Sequence, residues 1–227
     1  LIFKEYYSIF YNMSLLITID DGPSEVTGSL IQALKGKDSC IFFCNGERLI
    51  QYPQQAREIV QAGHIIGNHA FSHHDFWKMS WADCLLSIQR TEALIDSIYN
   101  ELGKIRLGRY FRFPYGSQGL PDWPFIRFYG WMLPRYRHLQ VFLRDAGFTG
   151  PKGVRRLRFP YSLYDNGFDW LWTVDSKDWK WDDEKKPVYI DIDVSIDNHI
   201  LLIHDHVVGL NWRANWIKDL NGTSKNS

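Results

Sequence analysis

The chain predicts an α/β fold built from successive strand–helix units, on two observations. Short apolar or β-branched runs alternate with stretches carrying apolar residues at helical spacing. Glycine, proline and aspartate also fall at the junctions, where turns are needed. "LLITI" (15–19) reads as the first strand and "EVTGSLIQALKG" after it as a helix. "CIFFC" (40–44) is the next strand, followed by the helix "PQQAREIVQAG", which Gly63 closes as a C-cap. "HIIGN" (64–68) is a short strand. "SWADCLLSIQRTEALIDSIYNEL" (80–102) is a long helix in which Ser80 and Asp83 resemble a capping box. "RYFRF" (109–113) reads as a strand, "YRHLQVFLRDAG" (136–147) as a helix, and "WLWTV" (170–174) and "HILLI" (199–203) as the last strands. Two stretches rich in Pro, Gly and aromatics, 117–135 and 150–168, read as long ligand-facing loops.

At 227 residues without repeat or linker, the chain is expected to form one domain with a sizeable core. Met13 stands directly before "SLLITIDDG" and reads as the natural start, making 1–13 an extension and 14–227 the domain. On that reading the protein is cytoplasmic; a signal cleaved upstream of Leu1 would make it secreted or periplasmic. No stretch approaches the ~18 consecutive apolar residues of a transmembrane segment. With 26 basic and 26 acidic residues the formal charge is zero, which speaks against nucleic acid as a main partner. The 10 Trp, 12 Tyr and 14 Phe supply core and also flat apolar surfaces on which a ligand such as a sugar ring, a nucleobase or a lipid can stack. Cys40 and Cys44 bracket a strand and would lie about 13 Å apart, too far to bridge. With Cys84 they leave an odd number of thiols, which favours a reducing compartment.

Function is written at five strand ends: "LLITI-DDG", "HIIGN-HAFSH", "RYFRF-PYG", "WLWTV-DSKDW" and "HILLI-HDH". In folds of alternating strands and helices, residues at such ends converge on one pocket. The pocket then contains Asp20, Asp21, His69, His73, Arg112, Asp175 and His204. Adjacent carboxylates at the mouth of a buried strand repel each other, so a cation is expected beside them. His69 and His73, with Asp75 nearby, would face one ion together if they lay on a helical turn. Alone that spacing is weak; with a carboxylate from another strand end it makes a common catalytic metal shell. One aspartate can then bind the metal while the other acts on metal-bound water. Arg112 reads as the cation that orients the base aspartate. "PYG" offers the Tyr115 N–H to an oxyanion. His204 reads as a general acid, with Asp175 fixing its tautomer.

The ordered set "TIDDGP", "HAFSH", "RFPYG", "DSKDW" and "LLIH" resembles the polysaccharide deacetylases of the NodB-homology type, carbohydrate esterase family 4. The resemblance implies a distorted, incomplete (β/α) barrel and a metal-dependent hydrolase that removes acetyl groups from N-acetylated amino sugars. It implies Asp20 as base, Asp21, His69 and His73 as metal ligands, and Arg112 holding the base. Tyr115 would serve the oxyanion, Asp175 would support the acid His204, and Trp179 and Leu202 would line the acetyl pocket. The implied cofactor is a divalent metal, Zn²⁺ first, with Co²⁺, Ni²⁺ or Mn²⁺ suiting the same shell; the implied partner is an acetylated glycan. Hydrolysis of O-acetyl esters or of a non-sugar amide would use the same site. A purely glycan-binding module gives no reason for a base, an acid and an open metal shell together. Three features depart from the family pattern: Ala70 replaces Ser or Thr, Phe113 replaces a common Pro, and the tail after His206 reads as too short for a full final helix and strand.

Overall fold

A computed structural model describes residues 15–117, 134–151, 168–190, 192 and 199–220. The expected extension and most of both aromatic loops lie outside the described residues. Five strands form one parallel sheet: β1 (Leu15–Gly22), β2 (Ile41–Cys44), β3 (Ile65–Asn68), β4 (Val174–Asp175) and β5 (His199–His204), in the order β3-β2-β1-β5-β4. Among the described residues six α-helices accompany them: α1 (Thr27–Ala33), α2 (Gly46–Gln51), α3 (Pro53–Gln61), α4 (Trp81–Glu101), α5 (Pro134–Asp145) and α6 (Leu210–Asp219).

The apolar strands are apolar on both faces because both faces are covered. Ile17, Ile19, Phe42, Ile66, Leu201 and Ile203 pack outward against Leu30, Ile59, Ile95 and Ile217 of the helices. Leu16, Ile41, Phe43, Ile65 and Ile200 point the other way and meet Tyr110 and Trp170 inside the curved sheet. Successive strand side chains alternate faces, so Asp20 shares the interior face of Leu16 and Thr18. His204, its register partner on β5, shares it too.

The caps behave as read. Gly63 is left-handed (φ +87°), and the N–H groups of Gly63 and His64 return to the carbonyls of Val60 and Ile59. Ser80 Oγ accepts the Asp83 N–H at 3.1 Å and donates to the Asp83 carboxylate at 2.6 Å.

Two expected strands are thinner than predicted. Residues 109–113 form only isolated bridges, Asn68 with Phe111 and Arg109 with Phe148. Of 170–174, only Val174 joins the ladder. The reason is that this segment changes neighbours midway: the Trp170 N–H binds Phe111 O, whereas the Thr173 N–H binds Ile200 O. One or two backbone bonds at each step thus span the opening between β3 and β4, which gives the distorted, incomplete barrel that was expected. Two helices exceed the prediction. α2 starts on Gly46, where a Cβ would meet Phe71 at 2.4 Å, so a residue that discourages helices is required by packing. The tail also suffices for a full helix, α6, and no strand follows it among the described residues. All three cysteines are buried and unpaired; burial pushes the Cys40 thiol up to about 12, which makes it inert.

Candidate active site

The site begins with a bulge. β1 pairs Asp20 with Phe43 and then Gly22 with Cys44, so Asp21 is an extra residue on β1, and it is left-handed (φ +67°). Aspartate tolerates that conformation better than most residues. In an unbroken strand the two carboxylates would face opposite sides; the bulge re-aims the second one. Both now approach His69 Nε2, Asp20 Oδ2 at 3.8 Å and Asp21 Oδ1 at 3.5 Å. The turn after them is fastened by Asp205, which accepts from Ser24 Oγ at 2.7 Å and from the Thr27 hydroxyl. A Cβ on Gly22 would strike that carboxylate at 2.8 Å.

His69 and His73 do not lie on a helical turn, the condition under which their spacing would bring them to one ion. A loop brings them together: Ala70 is left-handed (φ +66°), its N–H held by Asn68 Oδ1 and its carbonyl by the Gly46 N–H. That clamp from the preceding asparagine supplies a side-chain bond to the loop although Ala70 has no hydroxyl. His69 Nδ1 lies 2.8 Å from the Arg112 carbonyl. A carbonyl only accepts, so Nδ1 carries a proton, and Nε2 is the nitrogen turned toward Asp21. His73 Nε2 is 3.3 Å from the same Asp21 oxygen. The Tyr115 ring packs edge-on to His73 with centroids 4.3 Å apart, and its hydroxyl donates to His73 O. Asp75 instead caps the short turn Phe76–Lys78.

Ligand atoms of Asp21, His69 and His73 all lie within 4.8 Å of one another. Asp21 Oδ1 is buried without a hydrogen-bond donor. A buried acceptor facing imidazole nitrogens fits a cation; the donor set of two nitrogens and one carboxylate could hold a divalent metal. Burial alone would raise the Asp21 pKa, but His69 and His73 outweigh it and hold the group well below the usual carboxylate range.

Asp20 is placed differently. Its Oδ1 accepts from Arg112 Nη1 at 2.6 Å; the same nitrogen reaches Thr18 Oγ1, and Arg112 Nε donates to Trp170 O. Arg112 is fully buried, with its guanidinium 4.2 Å above the Phe43 ring. Phe113 is buried among Phe76, Phe111 and Ala70, so it substitutes packing for the usual proline.

The partner of His204 is Asp178, not Asp175. His204 Nδ1 lies 2.7 Å from Asp178 Oδ1, and the His204 N–H donates to Oδ2 at 2.9 Å. Asp175 is occupied locally, accepting the Lys177 N–H. Lys177 is left-handed (φ +55°) and turns the chain back, so the next residue, Asp178, lies over the end of β5. "DSKDW" offers both carboxylates, and the reversal that chooses between them has no glycine to announce it. Burial would lower the His204 pKa, but the Asp178 bond and charge, with Asp20 and Asp21 beyond, push it up to about 9. Leu202 lies on the interior face two residues before His204, paired with Thr18 and Asp175. Trp179 is more than half exposed, with the Lys180 ammonium 4.6 Å from its ring centroid. Tyr115, left-handed at φ +59°, sits on the single turn after Phe113.

Residues 12–121 match the polysaccharide deacetylase family. Over 110 residues the chain is 31% identical to a peptidoglycan-N-acetylglucosamine deacetylase of Bacillus cereus, covering 47% of this chain and 38% of that protein. Over 100 residues it is 32% identical to chitin deacetylase 1 of Saccharomyces cerevisiae, covering 44% and 31%. The chain thus spans well under half the length of these relatives. A solved peptidoglycan N-acetylglucosamine deacetylase shares the fold, with a TM-score of 0.61 at 20% identity over 93% of this chain and 82% of that one. So does a carbohydrate esterase family 4 pseudoenzyme from Bacillus anthracis, at 0.60 and 19% over 94% and 62%. The resemblance to the polysaccharide deacetylases is therefore shown, by sequence from residue 12 to 121 and by fold across the described chain. Fold alone does not establish activity; that argument belongs to the side chains.

Proposed function

We propose that the chain is a metal-dependent N-deacetylase of acetylated amino sugars in an oligo- or polysaccharide, of the chitooligosaccharide, peptidoglycan or precursor-glycan kind. One observation carries the reading: Asp20 and His204 are register partners on adjacent strands, each locked by its own buried partner, beside the Asp21–His69–His73 cluster. A divalent ion held by Asp21, His69 and His73, Zn²⁺ first, would supply Lewis acidity to an acetyl carbonyl and lower the pKa of water there.

The chain's own groups divide the remaining work. Asp20 takes the proton from the attacking water, and Arg112 fixes the carboxylate's orientation. As the carbon–oxygen bond forms, the Tyr115 N–H donates to the charge growing on the carbonyl oxygen. As the carbon–nitrogen bond breaks, His204 delivers its proton to the departing amine. A pKa near 9 keeps that proton in place at neutral pH, and Asp178 keeps it available by committing Nδ1. Leu202 offers an apolar wall to the acetyl methyl and Trp179 a flat face to a sugar ring.

Two measurements test this reading. Acetate release should be faster from a short N-acetylglucosamine oligomer than from an O-acetylated xylan fragment; release from the ester alone would replace the amide substrate with the ester. In the chelated protein an NMR titration should place His204 near pH 9, and Asp178→Asn should bring it down, since burial is then opposed only by the more distant Asp20 and Asp21. An unchanged midpoint would remove Asp178 from its role.

A further inference from the structure

Helix α6 buries an arginine where its apolar stripe calls for a hydrocarbon. Leu210, Arg213, Trp216, Ile217 and Leu220 recur at the three- and four-residue spacing that lines one helix face. Trp216 and Ile217 are buried on it, and Arg213 is fully buried. A guanidinium withdrawn from water needs a counter-charge and acceptors for its N–H groups. Arg213 finds all of them beside His204. Nε donates to Asp178 Oδ2, Nη1 donates to His206 O at 2.8 Å, and Nη2 reaches Val208 O at 3.2 Å and Asp178 O at 3.4 Å. Asp178 itself is saturated: Oδ1 accepts from His204 Nδ1 and the Ser176 hydroxyl, Oδ2 from the His204 N–H and Arg213.

We propose that Arg213 is a positioning residue for the acid half of the reaction: it clamps the Asp178 carboxylate and the turn after His204 together, so that the imidazole is held in one orientation. The inference rests on His204 as the acid. It gives the acid side the arrangement that Arg112 and Asp20 have on the base side, a buried guanidinium fixing the carboxylate that matters. Lysine does not replace it, because a point charge lacks the planar fork that serves a carboxylate and three carbonyls at once.

The experiment compares Arg213→Met, Arg213→Lys, Asp178→Asn and the double variant Arg213→Met/Asp178→Asn, reading kcat and KM on a short N-acetylglucosamine oligomer. In parallel, proton NMR follows the far-downfield Nδ1–H of His204. Arg213→Met should lower kcat by about 10- to 100-fold with little change in KM, and Arg213→Lys should fall in between. The double variant should be no slower than Asp178→Asn alone, because Arg213 acts through Asp178. The downfield resonance should shift or broaden in both Arg213 variants. Folded variants with unchanged kcat and resonance would overturn the proposal, and so would losses that add in the double variant. If Arg213→Met does not fold, Arg213→Lys carries the same comparison. If the wild-type protein releases no acetate from any sugar, the functional reading fails, while the His204 resonance still decides whether Arg213 positions it.

Discussion

Replacing Asp20 by Asn is expected to cut acetate release by about 10²- to 10⁴-fold, the usual loss when a positioned general base is removed. Metal binding should survive, and that contrast is the informative part. Asp20 and Asp21 are neighbours in sequence, yet the bulge gives them separate environments: Asp21 Oδ1 is an unpartnered acceptor between two imidazoles, whereas Asp20 Oδ1 is bound to Arg112. Asparagine keeps the shape and one acceptor of the carboxylate but cannot take a proton. The Asp20→Asn protein should therefore bind Zn²⁺ like the wild type and still turn over far more slowly. Asp21→Asn should do the reverse, weakening Zn²⁺ binding first. Calorimetric titration with Zn²⁺ beside the activity assay separates the two, and equal metal loss in both variants would refute the division of labour.

The second large effect is on stability. Arg112→Met is expected to destabilise the fold by about 3–5 kcal/mol, read as a lower midpoint in urea at unchanged slope. Arg112 has no exposed surface and Asp20 is 4% exposed. Removing the guanidinium strands a carboxylate in the barrel interior. It also leaves the Thr18 hydroxyl and the Trp170 carbonyl without that donor. The double variant Asp20→Asn/Arg112→Met should recover part of the loss, because the amide carries no stranded charge. Additive losses would mean that the pair is not the unit that matters.

The parts legible in sequence were those that local chemistry determines. β1, β2, β3 and β5 announce themselves because strands covered on both faces are uninterrupted apolar runs. Gly63 and Ser80 mark helix ends because a left-handed residue and an N-cap acceptor have few substitutes. Strand ends loaded with Asp, His and Arg pointed to one pocket, and the structure does bring Asp20, Asp21, His69, His73, Arg112 and His204 together. What stayed hidden depends on tertiary choices. Nothing in "TIDDG" says that Asp21 is a bulge, because the extra residue is defined by β2 across from it. Asp175 and Asp178 are chemically equivalent in "DSKDW"; the left-handed Lys177 selects between them. Arg213 left one signal, a charge on an apolar stripe, and the tail was read as too short to use it. Segments 109–113 and 170–174 have strand composition, but each divides its hydrogen bonds between neighbours, which no single-segment pattern records.

The central claim is that Asp21, His69 and His73 hold a catalytic metal beside Asp20 and His204. The most direct test is acetate release from a short N-acetylglucosamine oligomer by the purified protein, after chelation, and after Zn²⁺ is restored. The account predicts release that disappears on chelation and returns with Zn²⁺. Release that continues undiminished after chelation has removed every bound metal would contradict it.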